Sequence, residues 1–158
     1  MPRNALALET EIHGRKVVFA SVHLDHNADP EVRLAQGEKL AAEMQPWEEG
    51  AYASVLAGDF NDVPGSDTIA QFSHAGFIDL HEAFGSGPGY TNDRDDIELN
   101  AEHASHNQRI DYLMMRPAGG RAPEVNEVAL FADRPHRQSD GTWLWPSDHI
   151  GVIATLRL

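Results

Sequence analysis

The run Val17-Val-Phe-Ala-Ser-Val22 does most to limit what this chain can become. Its apolar residues stand next to one another rather than at every second position. A strand made from them has no side suited to water, so both faces need cover. That requirement points to a layered, mixed α/β protein.

The neighbouring sequence supplies the layers. Ala5 to Ile12 and Lys16 to Leu24 read as two strands around His13-Gly14-Arg15, a hairpin signal. Asp29-Pro30 opens a helix, with the aspartate as cap and the proline in the first turn. Leu40, Met44 and Trp47 fall on one face of that helix, and Pro46 is expected to disturb its last turn. Ser54 to Phe60 reads as a short buried strand and Asp67 to Ala75 as a helix stopped by Gly76. Phe77 to Phe84 is expected to add a further helical turn, and Asn92 to Gln108 a polar, acidic loop. Strands follow at 110–115, 125–132 and 150–158, with a loop at 134–145 that carries Trp143 and Trp145 as exposed-looking rings. No repeat or linker interrupts the chain, so residues 1–158 are expected to form one domain.

Charge narrows the partners. The net charge is −13 and there are only two lysines, Lys16 and Lys39. A long duplex is gripped by many cationic side chains that release counterions, so an extended nucleic-acid footprint is disfavoured while a small phosphate ester is not. An acidic balance also suits a site that gathers divalent cations. The absence of cysteine leaves oxygen and imidazole as metal ligands and suits a cytoplasmic protein, with secretion left open. No apolar run approaches the length of a membrane span.

Four polar clusters lie at or just after strand ends: His23-Leu-Asp-His26, Gly58-Asp-Phe-Asn61, Arg109-Ile-Asp-Tyr112 and Ser147-Asp-His149. Strand ends at one edge of a layered α/β protein are where side chains converge on a ligand. Acids, an amide and imidazoles together can hold a hard cation, activate water and stabilise a phosphoryl transition state. Each cluster also has a plainer reading. Asp59 and Asn61 suit an Asx turn, Asp111 a surface pair with Arg109, and Asp148-His149 a turn before the last strand. His23, Asp25 and His26 can chelate a metal or merely follow a strand. Arg33 reads as a solvated helix residue, with a reach back to the site as the alternative. His103 and His106, in a stretch with Asp93, Asp95, Asp96, Glu98 and Glu102, suit a solvated acidic loop more than an adventitious metal site. Trp143 and Trp145 suit either ring stacking or packing.

The order VHLDH, LAGDFND-PGS, GYT, RIDYLM, SDHIGV resembles the endonuclease/exonuclease/phosphatase superfamily, the metal-dependent phosphodiesterases related to pancreatic deoxyribonuclease. The resemblance implies a four-layer α/β-sandwich and hydrolysis of a phosphate ester with magnesium or manganese. It implies that Asp59 holds and helps deprotonate the attacking water, and that Asn61 bonds that water or the phosphate. Asp148 would ligate metal with Asp59 and Asn61, and His149 would face the phosphate with His23 as a second imidazole. Asp111 would orient His149. The family's opening strand, with a site asparagine, and its metal-binding glutamate have no counterpart in the 22 residues before His23. The chain is therefore expected to match the C-terminal portion of the domain, and its isolated activity is in question. The sheet left open by that arrangement would favour self-association, a complementary N-terminal half, or a non-catalytic role in which a partner binds the open face.

Overall fold

The computed structural model describes residues 3–27, 29–92, 101–103, 105–118 and 124–157. The chain opens with the hairpin of β1 (Leu6–Ile12) and β2 (Arg15–His23). Its two-residue turn holds His13 at φ 51° and Gly14 at φ 75°, and consecutive positive φ values match the right-handed twist of the flanking strands. Helix α1 (Pro30–Glu48) starts as the sequence implies: the Asp29 carboxylate accepts the Glu31 N–H and Pro30 begins the first turn. Pro46 is accommodated, and α1 continues to Glu48.

The buried line of α1 includes Gly37 and Met44, and Leu40 packs beside it. At Gly37 the helix meets α2 (Asp67–His74) so closely that a Cβ would lie 2.3 Å from Gln71 Nε2. The face set by this crossing leaves Trp47 53% exposed, against the expectation that it shares the apolar face. Phe77 to Phe84 is also not one helical stretch. Ile78–Asp79 forms the short strand β4, and Asp79 then caps α3 (Leu80–Phe84) by accepting the His81 and Glu82 N–H groups.

Strand β3 (Ala53–Asp59) follows α1 and lies parallel to β2, completing a β-α-β unit. Strand β5 (Asp111–Pro117) runs antiparallel to β3, and the five-stranded order is β1-β2-β3-β5-β4. A second sheet pairs β6 (Glu124–Phe131) with β9 (Gly151–Arg157), with an irregularity between Val125 and Glu127. Two-residue strands β7 (His136–Arg137) and β8 (Trp143–Leu144) pair within the stretch expected to be loop.

The five-stranded sheet has a different core on each face. Val18, Ala20, Val22, Leu56 and Met114 pack beneath α1 and α2 with Phe72 and Phe60. The Phe60 ring makes edge contacts at 5.2 Å with both Phe72 and Tyr112. On the opposite face, Val55, Leu80 and Met115 meet Val128, with Val152, Ala154 and Leu156 packed against them. Helices, five-stranded sheet and β6-β9 sheet thus account for three layers among the described residues. The opposite-face cover does not extend across β1. Leu6 and Leu8 pair with Ser21 and Phe19 and stand 76% and 60% exposed. A cleft of about 530 Å³ opens beside them, between Phe19 and Val55 on one side and Ala154 and Leu156 on the other.

Candidate active site

Strand register assembles the site. His23, the last residue of β2, pairs with Asp59 at the end of β3, and Asp59 pairs with Asp111 at the start of β5. Residues paired across neighbouring strands share a face, so an imidazole and two carboxylates form one row along the sheet edge. Gly58 allows the middle strand to reach that row. It has φ 143°, and a Cβ there would lie 2.0 Å from the Val22 carbonyl oxygen.

Beyond Asp59 the chain turns sharply. Asn61 adopts φ 51° and its N–H donates to Asp59 Oδ1 at 2.7 Å. The Asn61 carboxamide donates to Asp59 Oδ2 at 3.1 Å and to the Leu24 carbonyl at 3.0 Å. The Asx turn and the gathering of functional groups are therefore the same feature. Phe60, between them, is fully buried on the helix side. Asp62 serves the scaffold: it pairs with Arg33 at 3.1 Å, and its carbonyl lies 2.9 Å from Tyr112 Oη. Arg33 is correspondingly held and mostly buried, not solvated as its sequence position implies.

From the segment before β9, His149 swings over the row and places Nδ1 2.7 Å from Asp111 Oδ2. This hydrogen bond raises the His149 pKa, against the opposing effect of burial. The Asp59 pKa is raised chiefly by burial, opposed by the Asn61 N–H and reinforced by nearby Asp111. His23 Nε2 stands 3.5 Å from Asp59 Oδ2. Asp59, Asp111 and His149 bring ligand-type atoms within 4.8 Å of one another and form the one such group among the described residues. Asp148, expected as a ligand, is not part of it. It is exposed and accepts a hydrogen bond from the Ser147 hydroxyl at 3.1 Å, while its neighbour His149 turns inward. A concavity of about 450 Å³ opens at the site, between Asp111, Ser147 and His149.

Other candidates have different surroundings. Asp25 is buried and accepts the Asn27 N–H, while the rings of His23 and His26 both face the Arg3 guanidinium. Arg109 pairs with buried Asp79 rather than with Asp111. Trp145 is buried and donates Nε1–H to the Ala101 carbonyl at 2.8 Å, with the His106 ring packed against it. Trp143 is half-buried, with Arg137 near its ring. Of the acidic loop, Asp93, Asp95, Asp96 and Glu98 lie outside the described residues.

Two neighbours of the row were given no role by the sequence. Thr91 Oγ1 accepts the Ile110 and Asp111 N–H groups, both at 3.2 Å, which fixes the start of β5. Asn92 Nδ2 lies 2.7 Å from His149 Nε2. Only the Gly-Tyr-Thr signal just before Asn92 marks the region.

The sequence pattern of the endonuclease/exonuclease/phosphatase family matches residues 2–149. The chain belongs to this family. No curated protein matches it. Among solved structures it resembles the mannosyl-6-phosphatase Bt3783 of Bacteroides thetaiotaomicron VPI-5482, with 19% identity and a TM-score of 0.81, over 100% of this chain and 58% of that one. It also resembles TDP2 of D. rerio, solved with a single-strand DNA product, at 22% identity and a TM-score of 0.75, over 99% of this chain and 62% of that one. The human Nocturnin catalytic domain, solved with a sulfate anion, gives 23% identity and a TM-score of 0.69, over 98% of this chain and 53% of that one. The family member described here thus spans little more than half the length of these neighbours, and at such identities the likeness establishes the deoxyribonuclease-I-like fold alone. No helix among the described residues is long and apolar enough to cross a membrane.

Proposed function

We propose that this protein hydrolyses a phosphate ester, with magnesium or manganese, by attack of a water molecule held at Asp59. The observation that carries this reading is the meeting of His23, Asp59, Asn61, Asp111 and His149 at one sheet edge. Family membership supports the reaction class, and the oxygen-rich donor set fits a hard divalent cation. Asp59 and the Asn61 side-chain carbonyl oxygen would hold the cation, and the proximity of Asp59, Asp111 and His149 supports Asp111 rather than Asp148 as the further carboxylate. When bound, such a cation neutralises phosphoryl charge and makes water easier to deprotonate.

The chain's own groups perform the remaining tasks. Asp59, whose burial favours its protonated form, accepts the proton of the attacking water. Asp111 holds His149 at Nδ1 and so directs Nε2 toward the phosphoryl oxygens. His23 faces the same space from the β2 end. The charge of −13 favours a small ester or a short single strand over a long duplex.

The exposed leucines of β1 favour a second, compatible role for the sheet face turned away from the helices: binding a complementary protein surface, with or without catalysis. The deciding experiment is turnover of bis(p-nitrophenyl) phosphate with added magnesium or manganese, by this chain and by a form extended upstream. Turnover cut by orders of magnitude in both Asp59→Ala and His149→Ala is the expected result. No turnover by either form would remove the hydrolase reading and leave the binding role.

A further inference from the structure

Neither ring nitrogen of His149 is unengaged. Nδ1 faces the Asp111 carboxylate and Nε2 faces the Asn92 carboxamide, each at 2.7 Å. A carboxylate accepts only, so Nδ1 carries a proton; with the Asn92 Nδ2, a donor, facing Nε2, the neutral ring offers Nε2 as the acceptor and the Asn92 amide donates to it. Asn92 is also anchored. Its N–H and carbonyl bond Gln108 in both directions at 3.0 Å, and the preceding Thr91 donates to Gln108 at 2.7 Å. The Thr91 carbonyl accepts the Ile150 N–H at 2.8 Å, one residue beyond His149. The same short ladder therefore positions both partners of the amide–imidazole contact.

Nε2 is the ring nitrogen turned away from Asp111, so it is the one a substrate must approach. The Asn92 amide already lies where an acceptor atom would arrive. From this juxtaposition we infer that Asn92 contacts the substrate, donating its side-chain N–H to a non-bridging phosphoryl oxygen that takes the place of His149 Nε2. The inference rests on the hydrolase reading and adds a substrate-binding residue to it. An amide suits the task because it has two N–H bonds, carries no charge and adds no repulsion toward an anion. The exchange also leaves His149 Nε2 uncovered only when an anion is present.

The test is titration of inorganic phosphate, in the presence of magnesium, into isotope-labelled protein, followed by NMR alongside steady-state kinetics. The Asn92 side-chain amide signals and those of His149 Nε2 should move together. Asn92→Ala should weaken phosphate binding and raise KM about tenfold with a smaller change in kcat, as for loss of a hydrogen bond to a charged group. Asn92→Asp, similar in shape but anionic, should weaken binding further, while thermal melts confirm that both variants fold. Phosphate binding that leaves the Asn92 amide unmoved, or equal losses in the alanine and aspartate variants, would overturn the inference and leave the hydrolase reading standing. Wild-type protein that neither binds phosphate nor turns over ester would remove both.

Discussion

The two faces of the five-stranded sheet are built from similar residues and have different surroundings. On the helix side, Val18, Ala20, Leu56 and Phe60 are sealed beneath α1 and α2. On the other, β6 and β9 cover Val55 and Met115, while Leu6 and Leu8 of β1 stay exposed. The candidate site occupies the edge of this second, partly covered face. His23 continues the alternation of Val17 and Phe19, and Asp59 continues that of Ala53 and Val55. Polar groups at a strand end keep contact with solvent and substrate, while apolar groups farther down the same face hold the sheets together. One alternating pattern thus yields both core and site.

The largest expected effect lies on the sealed face. Phe60→Ala removes a ring in edge contact with Phe72 and Tyr112 and should cost about 3–5 kcal/mol in denaturant unfolding. A loss below about 1 kcal/mol would mean that this face repacks readily and that the contrast between the faces is false.

At the site edge, charge replaces packing as the controlling term. In metal-free protein the Asp111 contact raises the folded pKa of His149 above its unfolded value near 6.5. The contact's stabilisation is therefore full below about pH 6.5 and fades as pH rises through the folded pKa. Asp111→Asn should lower the melting temperature most between about pH 5 and 6.5, with the gap narrowing toward alkaline pH. A gap independent of pH would show that the pair is not an ionic contact. Asp59 has the opposite sign. Burial raises its folded pKa, so its ionised form is a cost at neutral pH. Asp59→Asn should then raise the melting temperature at pH 7 while abolishing turnover. A fall would indicate that the Asn61 hydrogen bonds outweigh desolvation.

The smallest effect belongs to the open part of the second face. Replacing Leu6 and Leu8 together by serine should change stability by less than about 0.5 kcal/mol, because little apolar surface is withdrawn from water there. Light scattering should show less association than for the parent chain. A substantial loss of stability would show that the leucines already have cover.

Much of this arrangement was legible in the sequence because it follows from local signals. The apolar run of β2, the Asp29-Pro30 helix start and the Asx turn at Asp59 and Asn61 each act within a few residues. What escaped depends on contacts between distant segments. Trp47 has the right helical spacing but misses the face set by Gly37 against α2. Trp145 is buried through its bond to Ala101, across a loop whose composition gives no indication of packing. Asp79 and Arg109 are ordinary polar residues until the fold buries them as a pair. Asn92 adjoins an acidic stretch without period, and only the Gln108 ladder brings it to His149. The row His23, Asp59, Asp111 was foreseeable as a set of strand-end groups, whereas its alignment needed the register of three strands.

The central claim is that this row and His149 act on a phosphate ester as one unit. A double-mutant cycle on turnover of bis(p-nitrophenyl) phosphate, using Asp59→Ala, His149→Ala and both together, tests it most directly. Groups serving one step are strongly non-additive, so the double variant should lose no more activity than the worse single variant. Losses that multiply, or turnover near the parent level in the double variant, would contradict it.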